Sequence, residues 1–95
     1  MPTVGILTLE LRLDDAQSLK DKRHTVKGLK DRLRSRFNVS VAEIDYQDIW
    51  QRSLISAVTV SSDHIHAEQV LQSVEREAAA FLGGCLVGAT LEWVE

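Results

Sequence analysis

Hydrophobic and polar residues alternate over residues 4–13, where four leucines share one face and polar side chains share the other. Such alternation predicts a half-buried β-strand. Strands are also predicted over residues 39–46, 53–61 and 86–94, because these segments are rich in β-branched and apolar residues. The chain therefore carries four strand patterns, separated by two longer segments with a different period.

The first longer segment, residues 19–36, has the period of an amphipathic helix, and Ser18 is its predicted N-cap, followed by Asp21 in the first turn. Asn38 is expected to end this helix in a left-handed backbone conformation. Its apolar positions fall within about 80° of the helical wheel and predict packing on a sheet: Leu19, Val26, Leu29, Leu33 and Phe37.

A second amphipathic helix is predicted from a cap at Ser62 or Asp63 to about Leu82, where Gly83 and Gly84 end it. The predicted order is βαββαβ. Helices of this length can cross a sheet and link strands into two right-handed split units. We therefore expect one domain over residues 1–95, an α+β ferredoxin-like sandwich with a four-stranded antiparallel sheet and both helices on one face.

The composition is that of an ordinary globular protein, with 44% hydrophobic and 26% charged residues among 95. A single cysteine excludes an intramolecular disulfide. The sequence shows neither a signal-peptide pattern nor an apolar run of about 18 residues, so we expect a cytoplasmic protein without a membrane partner. The formal net charge of −3 at first argues against a nucleic-acid partner.

The charge is distributed unevenly. The segment from Leu19 to Phe37 holds eight basic and only two acidic residues. Five of the basic residues follow helical spacing and form what we call the basic ridge: Lys20, Arg23, Lys27, Lys30 and Arg34. Two interpretations stay open at this point. The ridge is either a solvated helix face or a surface that binds the phosphates of an RNA.

Motifs for catalysis or metal binding are absent from the sequence. It contains no nucleophile elbow, no P-loop and no His-Glu-x-x-His helix, so we expect a protein that is not an enzyme and needs no cofactor. His64 and His66 could chelate a metal on a strand, but at a helix start their side chains point about 200° apart. Together with the lone Cys85 they do not predict a metal site.

Two further features concern single side chains. Lys22 falls in the middle of the apolar arc of the first helix, and Glu43 shares a strand face with valines, which is compatible with a partly buried ion pair. Three aromatic residues, Tyr46, Trp50 and Trp93, either gather on the uncovered sheet face as a homodimer patch or pack at the rim of the sheet.

Three segments carry a family resemblance: Ser18 to Arg23, Phe37 to Glu43 and Gln47 to Arg52. The chain resembles the YlxP-like family of small bacterial proteins of unknown function. The resemblance implies a ferredoxin-like fold and, because genes of the family tend to lie near those of translation factors, a link to ribosomes or RNA. It directs attention to the matching positions: Ser18, Leu19, Lys20, Lys22, Arg23, Glu43, Asp48, Trp50 and Arg52.

The sequence therefore supports three functional hypotheses. The first is a non-enzymatic accessory domain that binds RNA or the ribosome through the basic ridge. The second is a homo-oligomerising module that uses the uncovered sheet face or an edge strand. The third is a regulatory domain for a small ligand.

Overall fold

The computed structural model describes residues 1–94, and Glu95, the last residue of the predicted domain, lies outside the described residues. The predicted βαββαβ order is confirmed. A 3₁₀ turn at Gly83–Cys85 follows the second helix. The elements in chain order are β1 (Thr3–Arg12), α1 (Leu19–Arg36), β2 (Ser40–Asp45), β3 (Arg52–Ser61), α2 (His64–Leu82) and β4 (Leu86–Val94).

The four strands form one antiparallel sheet in the order β2-β3-β1-β4. Both helices pack on the same face: α2 contacts mainly β1 and β3, and α1 contacts β2 and α2. The α+β ferredoxin-like arrangement predicted from the sequence is therefore confirmed. It leaves β2 and β4 as the two edge strands and leaves the other sheet face uncovered.

The core lies between the helices and the sheet. Leu7, Leu9 and Leu11 of β1 are almost fully buried, as their alternation predicts. Gly5 continues this face because a side chain there does not fit: a Cβ would lie 2.6 Å from atoms of both Leu71 and Trp93. The glycine lets the Trp93 ring cross β1 beneath α2.

The helix starts follow the sequence prediction. The Ser18 hydroxyl accepts a hydrogen bond from the Asp21 amide at 3.1 Å, and the Asp63 carboxylate accepts one from the Ile65 amide at 3.0 Å. Each cap satisfies an amide that the first helical turn leaves unpaired. Gly83, with a φ of 58°, ends α2 as predicted.

The end of α1 differs from the prediction. Phe37 caps the helix in an extended conformation, with φ −134° and ψ 154°, and no left-handed residue follows it. The Asn38 carbonyl instead accepts a hydrogen bond from Thr59 Oγ1 at 2.9 Å, which fixes the chain as it enters β2. Among residues 1–94 the non-glycine residue with positive φ is Tyr46, at 64°, so β2 ends one residue earlier than predicted.

Candidate nucleic-acid interface

A groove separates α1 from the edge strand β2. The two elements lie side by side because the short connection after Arg36 turns the chain back along the helix. The groove encloses about 360 Å³ and is called here the basic groove. It is lined by Lys22, Arg23, Val26, Lys27, Lys30, Asp31, Arg34 and Glu43, so four of the five basic-ridge residues meet in it, whereas Lys20 does not line it.

The basic side chains of the groove differ in their partners. Lys27 Nζ lies 2.5 Å from Asp31 Oδ2, and Arg34 donates to the carbonyl of Val41 at 2.7 Å. Within residues 1–94, Arg23 and Lys30 have no carboxylate within 4.0 Å, and neither has Lys20. These cations are available to an external anion.

Asp31 is the exposed carboxylate of the groove. The hydrogen bond from Lys27 holds the pKa of Asp31 below its usual value; partial desolvation opposes this shift, and the nearby charges of Lys27, Arg34 and Lys30 add to it. The carboxylate is therefore ionised at neutral pH. It offsets one positive charge, and the groove keeps an excess of cations.

A buried ion pair forms the floor of the groove. Lys22 is 1% exposed, and its Nζ lies 2.9 Å from Glu43 Oε2. Lys22 also donates a hydrogen bond to the carbonyl of Tyr46. The sequence therefore located both members of the pair correctly, and the structure adds that the lysine also holds the start of the β2–β3 loop.

Ser53 completes this polar cluster and was not singled out in the sequence. Its hydroxyl donates to Glu43 Oε2 at 2.6 Å, and the residue is fully buried. The sequence pattern could have predicted its burial, because Ser53 falls on the same alternating face of β3 as Ile55 and Ala57. A buried hydroxyl needs a hydrogen-bond partner, and here it partly compensates the desolvated carboxylate.

Other basic residues of α1 serve the contact between the helices. Arg32 Nε lies 3.4 Å from Glu77 Oε1 of α2, and Arg36 pairs with the same carboxylate. Arg32 also lies over the ring of Phe81, with 5.4 Å from its Cζ to the ring centroid. Part of the positive charge of α1 is thus matched within the protein, whereas the unmatched Arg23 and Lys30 line the groove.

Three of the positions that match the family lie in or next to the β2–β3 loop: Asp48 and Trp50 within it, and Arg52 as the first residue of β3. Lys22 binds the start of this loop through the carbonyl of Tyr46. Asp48 is exposed and Trp50 is 49% exposed. The Arg52 guanidinium lies 4.2 Å from the centroid of the Tyr46 ring. The three aromatic residues do not gather on the uncovered sheet face, because Trp93 lies on the helix side, packed against the core.

The two histidines of the His-x-His segment are separated. The His64 ring packs against Trp93 with 4.1 Å between ring centroids, and His66 is exposed on α2. Within residues 1–94, no three His, Cys, Asp or Glu side chains come together as a possible metal-binding group. Neither helix in this range is long and apolar enough to cross a membrane.

A second cavity, of about 320 Å³, lies where the end of β1, the start of α1 and the end of α2 meet. Leu13, Ala16 and Leu82 supply its apolar wall, and Cys85 lies beside them. Asp15 and Asp21 also line this cavity. A small ligand of the kind expected from the third hypothesis would find space here, and that hypothesis stays a prediction.

Comparisons with known proteins agree with the fold. A de novo designed protein, Foldit4, aligns with a TM-score of 0.61 at 10% identity, covering 100% of this chain and 98% of the design. A dimeric ferredoxin-like protein of unknown function from Thermobifida fusca aligns with a TM-score of 0.50 at 13% identity, covering 96% and 90% of the two chains. At these identities the similarity concerns the fold alone.

The sequence comparisons identify the family. The "Uncharacterized protein YlxP" of Bacillus subtilis (strain 168) is 42% identical over 71 residues, which cover 75% of this chain and 77% of that protein. The model of a family described as "Protein of unknown function (DUF503)" matches residues 4–89. The chain therefore belongs to the DUF503 family of YlxP-like proteins.

Proposed function

We propose that this protein is a non-enzymatic accessory domain that binds structured RNA, such as ribosomal RNA, through phosphates held in the basic groove. The observation that carries the proposal is the groove itself. Five basic side chains and only two carboxylates line it, in a protein whose formal net charge is −3. Phosphate contacts supply most of the affinity of sequence-independent binding to nucleic acids.

The groove suits a backbone contact better than base recognition. Within the described residues 1–94, Arg23 and Lys30 have no carboxylate partner, and the buried Lys22 fixes the floor so that the groove keeps its shape. The uncovered sheet face presents Ile6, Thr8 and Ser56 and lacks the stacking aromatics that some RNA-binding sheets use. We therefore expect binding that depends on RNA shape and on salt concentration.

The test compares two double variants of equal net charge. Arg23→Gln with Lys30→Gln removes two cations of the groove, whereas Arg12→Gln with Arg76→Gln removes two arginines outside it. Binding to fluorescently labelled ribosomal RNA fragments is measured at several salt concentrations. Log affinity falls as log salt rises, and the groove variant should make this slope shallower by about 1 for each phosphate that the protein no longer neutralises.

The control variant should bind like the unmodified protein. Equal losses of affinity in both double variants would mean that only net charge matters, and the groove would then not be the binding site. Absence of binding at low salt would overturn the proposed function as a whole.

A second candidate function, self-association, is favoured by the uncovered sheet face. Val4 lies between Val60 and Val94 on neighbouring strands, and Ile6 lies beside Val58, so five aliphatic side chains form one patch. Val60 is 57% exposed and Val94 is 51% exposed. The Thermobifida fusca protein with the same fold is described as dimeric. Sedimentation equilibrium tests this candidate, and a mass that stays monomeric up to millimolar concentration would exclude it.

A further inference from the structure

The edge strand β4 is the most open element of the fold. Six of its nine residues are exposed, on both sides of the sheet. As an edge strand, it leaves the main-chain N–H and C=O groups of every second residue without a partner strand. Such an edge can pair with another strand.

The helix side of β4 is covered only in part: Leu86 and Trp93 pack against the core, and Leu91 does not. Leu91 is 38% exposed, although it lies directly opposite Leu7, which is 2% exposed. The difference arises because α2 packs mainly over β1 and β3 and covers less of β4. An apolar side chain on the core side of the sheet is thus left open at this edge.

The other edge strand, β2, is protected. It has only six residues. The main-chain carbonyl of Val41 already accepts a hydrogen bond from the Arg34 guanidinium. Glu43 and Asp45 place carboxylates on it, and its pairing with β3 shifts register between these two residues. Charged side chains and irregular register are the usual means by which proteins keep an edge from pairing.

β4 has less of this protection, although its pairing with β1 also shifts register, where Glu10 lies opposite Gly88 and Leu11 lies opposite Leu86. Its one charged residue is Glu92. Within residues 1–94, no side-chain hydrogen bond ends on the strand. The strand is therefore open to a partner that supplies a complementary strand.

We infer that this partner is a second copy of the chain, paired antiparallel along β4 about a two-fold axis at Thr90. Thr90 is the midpoint of Leu86–Val94, so this axis overlaps the two strands along their length, and residues 88–92, which pair with β1 in regular register, lie opposite the same segment of the copy. Glu92 then faces Gly88 of the second copy, and no carboxylates oppose each other. Leu91 faces Ala89 on the helix side, where both are otherwise exposed.

This inference rests on the second candidate function, self-association, and assigns it to an edge rather than to the sheet face. Full overlap of the two nine-residue strands gives a seam of at most about 30 Å, because the register shift near Leu86 interrupts regular pairing there. A seam of two strands lies near or below the lower limit of standard interfaces, roughly 1,200 Å². We therefore expect a dimer that forms reversibly, with a dissociation constant on the order of 100 μM.

Cysteine cross-linking tests the register in a Cys85→Ala background. In the proposed pairing the two Thr90 Cα atoms lie about 4.5–5.5 Å apart, within the range that a disulfide spans. Thr90→Cys should form a covalent dimer under mild oxidation. Glu92→Cys is the matched control on the same strand, because its two copies lie about 13 Å apart. Gly88→Cys mixed with Glu92→Cys should cross-link.

Two further variants separate the possible outcomes. Leu91→Lys should raise the dissociation constant at least about tenfold in sedimentation equilibrium, with an unchanged circular dichroism spectrum. Ser56→Cys reports on a dimer formed through the sheet face. A dimer that cross-links through position 56 and not through position 90 overturns the edge assignment and leaves self-association standing. A protein that stays monomeric overturns both.

Discussion

Replacement of Lys22 by methionine tests whether the buried ion pair holds the fold together. Lys22 is 1% exposed, and the side chain of Glu43 is 17% exposed. Removing one member of a buried pair typically costs about 3–5 kcal/mol, because the other charge stays desolvated. Glu43 keeps its hydrogen bond from Ser53 and some contact with water, so we expect about 3 kcal/mol, the lower end of that range.

The loss is measured by urea denaturation, with ΔG extrapolated to water and the slope m checked for constancy. A loss of about 3 kcal/mol in a domain of this size corresponds to a decrease in Tm of about 12–24 °C. Lys20→Met is the matched control, since this lysine is exposed on the same helix, and it should change stability by less than about 0.5 kcal/mol.

A double-mutant cycle decides the physical cause. Lys22→Met combined with Glu43→Leu removes both charges, and we expect this variant to lie within about 1.5 kcal/mol of the unmodified protein. If the double variant loses as much as the two single variants together, the cost comes from packing and the ion-pair reasoning is wrong. A loss below about 1 kcal/mol for Lys22→Met alone would also refute it.

Two more predictions concern the core and the groove. Gly5→Ala should destabilise the protein by about 1–3 kcal/mol in urea denaturation, because the new Cβ collides with two core side chains at 2.6 Å; unchanged stability would mean that the core shifts freely. The carboxyl of Asp31 should titrate by NMR below its ordinary pKa of 3.8, and Lys27→Met should move the midpoint up. Because the folded pKa is lowered, the stabilisation is present above pH 3.8 and is lost as the pH falls through the folded pKa. An unchanged midpoint in Lys27→Met would contradict the assigned cause.

Much of the basic groove could be anticipated from the spacing of charges along one helix. Helical geometry alone places Arg23, Lys27, Lys30 and Arg34 on one side of α1, and the structure brings these four to one groove. Sequence spacing could not reveal which cations are matched by other elements. Glu77 lies on α2, 41 residues from Arg36, and only the packing of the two helices brings them together.

The sequence by itself determined the order and type of the elements, because local periodicity reports which face of a strand or helix is buried. It also predicted the helix cap at Ser18 and restricted the second cap to Ser62 or Asp63, because caps depend on atoms two or three residues away; the structure places the second cap at Asp63. The tertiary structure decided what long-range packing controls: the partner of each charge, the extended conformation after Phe37, the left-handed Tyr46 held by Lys22, and the open edge at β4. These features depend on contacts between residues far apart in the chain, where local pattern carries no information.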